Sequence, residues 1–202
     1  LTTSTLLVGG SFTAIGGDAR NRLAEINKTT ASSTSWNPNA GGTVSKMLIV
    51  GPNVYVGGSF TTIGGQSRNE FAQIDYASAS PTAWNPSVTG GSVTAIATGT
   101  SSLYIGGSFT AVGGATRNRI AEIDLVSASA TAWNPNAGGN VNDIVLSNNL
   151  AYVGGAFTSI GGQSRNRAAA LDLTTGLANS WDPNVGGTVN RLLSKGSLMI
   201  LS

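Results

Sequence analysis

The sequence predicts an all-β fold: a β-propeller assembled from four blade repeats of about 48 residues, each four-stranded, forming a sector of a larger ring. Three observations carry this. The run Val8-Gly9-Gly10-Ser11-Phe12-Thr13 returns from Val56, Ile105 and Val153 with few changes. Phe12, Phe60, Phe109 and Phe157 advance by 48, 49 and 48 residues, and Trp36, Trp84, Trp133 and Trp181 repeat the same steps. Of 28 glycines, 24 form twelve Gly-Gly pairs, three per repeat at fixed phase, which random low-complexity sequence would not keep. The repeats cover approximately 1–48, 49–97, 98–145 and 146–193, with a partial repeat at 194–202, in one array over residues 1–202.

The third repeat shows the elements in order. Ser92 to Ala97 is β-branched and partly alternating, so it reads as the first strand. Gly99 to Ser102 turns the chain. Leu103-Tyr104-Ile105 is the second strand and runs into Gly106-Gly107, Ser108 to Val112 and Gly113-Gly114. Arg117 to Ile123 is the third strand, followed by Asp124, whose short carboxylate suits a turn. Thr131-Ala132-Trp133 is a short fourth strand that Asn134-Pro135 ends, because proline offers no ladder donor. The third strand is apolar on both faces, with Ala121 and Ile123 on one and Ile120 on the other. Such a strand is sandwiched between layers, as stacked blades require and an isolated two-layer sandwich does not. A β-solenoid remains the architectural alternative, although its coils are usually shorter than this period. No segment sustains helical spacing between the glycines and prolines.

Composition narrows the chemistry. Charged residues make up 10% of the chain and the formal charge is +2, spread along the period, so the balance does not imply nucleic-acid binding. No Cys and no His exclude disulfides, thiolate chemistry and imidazole metal ligands. No acidic loop has calcium-binding spacing, and no cofactor or metal is expected. No apolar run reaches the roughly 20 residues a membrane helix needs. The Ser/Thr/Asn/Gly-rich surface suits an extracellular or cell-surface setting. Leu1 is not an initiator Met, which suggests processing or a longer parent polypeptide.

Each motif has a structural and a functional reading. Arg20, Arg68, Arg117 and Arg165, each before an Asn (Asn21, Asn69, Asn118, Asn166), could ring an anion or bond neighbouring carbonyls. The structural reading is preferred, since a residue in every repeat serves what every repeat needs. The phased Phe and Trp are read as filling between layers, not as an exposed stacking platform. The Gly-Gly pattern lacks the Gly-Lys-Ser/Thr ending of a phosphate loop. Of the carboxylates Asp18, Glu25, Glu70, Asp75, Glu122, Asp124, Asp143, Asp172 and Asp182, most sit at repeat-phased positions. Only Asp143 stands out as a conceivable partner in a carboxylate pair. Asn27-Lys28-Thr29 fits a glycosylation sequon at chance level. The better candidates for contact are the repeat-variable pairs Asp18-Ala19, Gln66-Ser67, Ala115-Thr116 and Gln163-Ser164, and the tips Pro52-Asn53, Asn148-Asn149 and Gly196-Ser197.

Leu103-Tyr104-Ile105-Gly106-Gly107, Asp124 and Trp133 resemble the kelch blade. Gly57-Gly58-Ser59-Phe60-Thr61, Ile63-Gly64-Gly65, Arg68-Asn69 and Trp84-Asn85-Pro86, with their counterparts in the other repeats, more closely resemble the delta-60 repeat β-propeller family of bacterial surface and secreted proteins. Glu70 and Ala156 depart from its pattern. The resemblance implies a propeller, often within large surface proteins, and implies no activity.

The expected function is therefore a non-enzymatic extracellular scaffold or binding module in a larger surface, adhesive or fibre protein. Its expected partners are other parts of a larger polypeptide or assembly, glycans or surface proteins. The alternatives are the propeller portion of a carbohydrate-active enzyme and a structural component of a virion or filament. Because Thr5–Gly9 and Ser197–Leu201 share nearly one phase, they would compete for one strand position in a four-bladed ring, so the sequence predicts that four blades do not close.

Overall fold

The computed structural model describes residues 4–195 and 198–202; the predicted tip Gly196-Ser197 lies outside them. The described residues form short antiparallel sheets grouped into two compact units, Leu1–Ser87 and Val88–Ser202.

In the first unit, β1 (Thr5–Gly9) pairs with β4 (Leu23–Asn27), and β2 (Ala14–Ile15) with β3 (Asp18–Ala19) forms a small ribbon between them. β5 (Val44–Val50), β6 (Asn53–Gly58), β9 (Phe71–Asp75) and β10 (Ser80–Pro81) make a four-stranded sheet in the order β10-β9-β6-β5. Its ribbon is β7 (Thr62–Ile63) with β8 (Gln66–Ser67).

The second unit repeats the pattern. Its first sheet runs β12 (Val93–Thr98), β13 (Ser102–Gly107), β16 (Ile120–Asp124). The ribbon β14 (Ala111–Val112) and β15 (Ala115–Thr116) also holds β11 (Val88–Thr89). The next sheet is β17 (Val141–Ser147), β18 (Leu150–Gly155), β21 (Ala168–Asp172), with ribbon β19 (Ser159–Ile160) and β20 (Gln163–Ser164). β22 (Leu192–Lys195) and β23 (Leu198–Leu201) form a terminal hairpin. Thus Leu6–Val8 and Leu198–Ile200 lie in separate sheets.

Two expectations need correction. The third strand starts at Ile120 rather than Arg117, because Arg117 to Arg119 closes a loop described below. Among the described residues a four-stranded sheet forms only in the second repeat; elsewhere the fourth strand shrinks to single bridges, Ile26–Ser33, Ile123–Ala130 and Leu171–Ala178. Even in the second repeat the fourth strand is Ser80–Pro81, two residues before the phase predicted from Thr131–Trp133, because side chains take the backbone at that phase in both repeats. The Thr131 N–H reaches the Glu122 carbonyl at 2.9 Å, but the Trp133 N–H turns to Thr131 Oγ1 at 3.2 Å and the Thr131 carbonyl is taken by Arg117.

The cores lie between successive sheets. In the first unit Val54, Val56, Ala72 and Ile74 pack with Leu23, Trp36 and Phe60. In the second, Tyr104, Ile120 and Trp133 meet Ile144, Val153, Ala169 and Leu171. Phe60, Phe109 and Phe157 are fully buried, while Phe12 and Trp181 are half-buried. Each first strand carries a bulge near its start, at Val44/Lys46, Val93/Ala95 and Val141/Asp143. The bulged Thr94 donates to the Val141 carbonyl at 2.9 Å and Asn142 to the Val189 carbonyl at 3.0 Å, tying together successive sheets of the second unit.

Candidate functional site

The Gly-Gly-Ser-Phe-Thr and Arg-Asn-Arg segments close on each other. In the third repeat the Gly107 N–H donates to the Arg119 carbonyl, the Arg119 N–H to Phe109 and the Arg117 N–H to Thr110, at 2.9 to 3.0 Å. The same bonds recur in the other repeats. Arg22, Glu70, Arg119 and Arg167 all sit at φ of 63 to 66°, the left-handed region that non-glycine residues seldom occupy. Closure of the clasp holds them there. Above it the phased arginines donate through one nitrogen to carbonyls fourteen residues on: Arg20 to Thr34, Arg68 to Thr82, Arg117 to Thr131 and Arg165 to Asn179. Asn21, Asn118 and Asn166 donate to Asn39, Asn136 and Asn184. At this phase the second repeat has Asn69 and Ser87. These guanidinium groups are committed to their own repeats.

The carboxylates are equally engaged. Glu122 accepts the hydroxyls of Ser102 (2.6 Å), Tyr104 (2.8 Å) and Thr131 (2.6 Å). Glu25 accepts from Thr34 and Tyr76, and Gln73 fills the same role in the second repeat by accepting from Thr82. Asp75, Asp124 and Asp172 accept backbone and hydroxyl bonds from the turns that follow them. Asp18 accepts from Ser33 and lies 3.6 Å from Arg20; Asp182 lies 3.7 Å from Arg165. Asp143, the residue singled out from sequence, is buried and accepts the Leu192 N–H at 2.9 Å, so it holds the terminal hairpin.

These partners set a pH response. Burial works to raise the Glu25 carboxyl, but hydrogen bonds from Tyr76, Thr34 and Thr5 outweigh it and hold it below its ordinary value. The Ser78 hydroxyl lowers Asp75, and the backbone N–H groups of Ser127 and Thr175 lower Asp124 and Asp172. A lowered carboxyl contributes stability that is complete above its unfolded value and is lost as pH falls through its folded value. Burial first, then the bond to Glu122, pushes Tyr104 up to about 12. Its contribution is complete below about pH 10 and is lost as pH rises toward the folded value. The midpoint of urea unfolding is therefore expected to stay level between about pH 5 and pH 9 and to fall below about pH 4 and above about pH 10. A midpoint that rises on acidification would contradict these assignments.

The four variable pairs prove to be strand arms of the ribbons rather than loops. Asn148 and Asn149, at φ of 50° and 59°, form a tight hairpin turn of primed type, and Asn53 begins β6. One pair opens onto a cleft of about 560 Å³ in the second unit. Asn134, Asn136, Ser159, Gln163 and Ser164 supply its amides and hydroxyls. Pro135, Ile160 and the exposed Leu177 supply apolar ridges. The β19–β20 ribbon is fixed against these walls by Gly161, whose N–H donates to the Pro135 carbonyl at 2.8 Å and whose carbonyl accepts from Ala178 at 3.0 Å. No lining side chain is ionisable. The cleft can hydrogen-bond a neutral ligand and cover its apolar edges, but its walls have no group to move a proton. Gln163-Ser164 was singled out from sequence. Gly176 and Leu177 were missed, although they stand where the second repeat has Ala79 and Ser80.

Sheets joined face to face, each with the same clasp and each third strand followed by the same capped turn, define a β-propeller repeat protein. Residues 5–29, 53–75 and 100–126 match the family described as "Domain of unknown function (DUF5122) beta-propeller". Each matched segment spans the second strand, the ribbon and the third strand of one repeat. The chain also resembles the crystal structure of the computationally designed Ika8 protein (crystal packing No.1 in P63), with 9% identity and a TM-score of 0.65. That likeness covers 100% of this chain and 53% of the designed one, so the chain spans about half its length, and it is a likeness of fold alone. No curated protein matches the chain.

Proposed function

We propose that the chain is a non-enzymatic β-propeller module of the delta-60, kelch-like kind, acting outside the cell or at its surface as a binding unit of a larger protein or assembly. One observation carries this reading: the cleft beside Gln163-Ser164 is lined by neutral amides, hydroxyls and apolar ridges alone. That lining suits a hydroxyl-rich, uncharged chain such as a neutral glycan. The low charge and hydroxyl-rich surface support the extracellular setting.

An immobilised panel of neutral oligosaccharides tests it. The chain is expected to bind members of the panel, and Gln163→Ala or Asn134→Ala to weaken binding about tenfold, as loss of one hydrogen bond in a desolvated site does. Arg117→Ala is expected to lower Tm and leave binding intact below the new Tm, because its guanidinium bonds only its own repeat. Absence of binding across the panel would sink the ligand class. Turnover of glycan or ester substrates that disappears in Asp143→Asn would sink the non-enzymatic reading.

A further inference from the structure

In three repeats a tyrosine of the second strand packs edge-on against the tryptophan of its own repeat. Ring centroids lie 5.2 Å apart for Tyr55 and Trp84, 5.1 Å for Tyr104 and Trp133, and 5.4 Å for Tyr152 and Trp181. At this phase the first repeat has Leu7. Its Trp36 meets a different ring, Tyr76, at 6.1 Å and an interplanar angle of 42°. Tyr76 comes from the turn after β9, at a phase where the third and fourth repeats have Leu125 and Leu173. Trp36 Nε1 donates to the Tyr76 carbonyl at 2.9 Å and fixes the turn there.

Beside these two rings is a cavity of about 330 Å³, bordered by Glu25, Trp36 and Tyr76 and rimmed by the small residues Ala77, Ser78 and Ala79. That volume is at the lower end of the range for small-ligand pockets. The cavity lies at a joint between two sheets of the first unit, both in place, so it is not a sheet face left bare. Glu25 brings the charge. It is buried, and it accepts the hydroxyls of Thr34, at 2.8 Å, Tyr76 and Thr5. These donors are neutral, so they hold the carboxylate ionised without cancelling its charge. They also fill most of its roughly four acceptor positions. A ligand here meets negative charge and two aromatic rings but few free lone pairs. A primary ammonium would leave N–H groups unpaired on losing its water. A quaternary ammonium has none to satisfy and is held by charge and ring faces.

We infer that this cavity binds a trimethylammonium group of the choline type, with Glu25 as the countercharge and Trp36 and Tyr76 as the flanking rings. The corresponding joint of the second unit keeps Glu122 and Trp133 but has Leu173 in place of the second ring. A site built from a residue that differs between repeats is what a ligand, rather than packing, requires. The cavity shares no lining residue with the Gln163 cleft, so the inference stands apart from the proposed neutral ligand.

Isothermal titration calorimetry with choline chloride tests it. The wild-type chain is expected to bind choline, and to bind ethanolamine at least about tenfold more weakly. The neutral isostere, in which carbon replaces the choline nitrogen, is expected not to bind. Glu25→Gln and Tyr76→Leu introduce side chains that sibling repeats carry at these phases, in Gln73 and Leu173, so both variants are expected to fold. Each is expected to weaken choline binding about tenfold or more, whereas Tyr76→Phe, which keeps the ring, stays within about threefold of wild type. Phosphatidylcholine vesicles form a second arm. Co-sedimentation that is lost in Glu25→Gln assigns the group to a lipid surface, and choline binding without co-sedimentation assigns it to a soluble molecule; either supports the inference. A wild-type chain that binds neither choline nor the vesicles overturns it. So does ethanolamine binding as tightly as choline, or an unchanged choline affinity in a folded Glu25→Gln. If Glu25→Gln loses the wild-type circular dichroism spectrum, choline against its neutral isostere on the wild-type chain decides, and equal binding of the two overturns the inference. Oligosaccharide binding by these variants is expected to be unchanged, which separates failure here from failure of the proposed ligand.

Discussion

Phe157→Ala is expected to lower the free energy of unfolding by about 3–5 kcal/mol, read from urea unfolding followed by tryptophan fluorescence. The ring is fully buried in the cluster that joins two sheets, with Val153, Ile160 and Ala137 in the same core. Truncation removes the transfer free energy of the ring and leaves a cavity. The walls cannot close on it easily, because the Phe157 carbonyl is bonded to the Arg167 N–H at 3.0 Å, and Gly139 lies against the Phe157 backbone so closely that a Cβ there would collide with it. Val126, 91% exposed, gives the contrast: Val126→Ala should change stability by less than about 0.5 kcal/mol. A loss below about 1 kcal/mol for Phe157→Ala would show that the core collapses around the gap and that the sheets are less rigidly joined than their bonds imply.

Gly107→Ala is expected to cost about 1–3 kcal/mol, the usual range for forcing atoms into a filled site, and to sit at its upper end. A Cβ at this position would land on the Ser92 carbonyl oxygen. The backbone cannot withdraw, since that oxygen accepts the Ser108 N–H at 2.9 Å and the Gly107 N–H itself reaches Arg119 at 2.9 Å. Gly58 and Gly155 meet Thr43 and Asn140 in the same way, so at these three strand ends the second glycine of the pair is a steric requirement. Gly114 separates the two meanings of glycine here. It has open space but a φ of 81°, so Gly114→Ala pays only for conformation, about 1–2 kcal/mol, and Gly114→Asn should recover part of it. An unchanged Tm for both Gly107→Ala and Gly107→Ser would refute the steric account.

Translation made much of this fold legible. A contact that recurs every repeat writes itself into the sequence several times, so the buried Phe60, Phe109 and Phe157 and the first two strands of the third repeat could be read almost to the residue. Ser92–Ala97 became Val93–Thr98, and Leu103–Ile105 became Ser102–Gly107. What escaped was set by side chain to backbone bonds, which leave no hydrophobic period. Arg117 reads as a strand residue, yet it belongs to a clasp whose next member but one, Arg119, is left-handed at φ 66°. Thr131 to Trp133 reads as a strand, yet Arg117 and the Thr131 hydroxyl take its backbone groups. Of the cleft, only Gln163-Ser164 was visible, because variation between repeats is a signal. Leu177 carries no such signal, and nothing local says that it lines a cavity.

The bonds from the bulges have a consequence for how such a chain can grow. Thr94 and Asn142 are different residues, but each spans to the carbonyl of the valine that opens the following repeat. Donor and acceptor therefore sit one period apart in the same stretch of sequence. A segment of one period, copied and pasted beside itself, brings a matched donor, a matched acceptor and both apolar faces with it, wherever the cut falls. Tandem duplication extends the array without any new interface having to be invented, and the one-residue insertion at Ser87-Val88-Thr89 shows that the copies tolerate slippage between joints. Recombination between repeats is thus a neutral change in design and a large change in size, so copy number is the quantity most free to vary over evolutionary time.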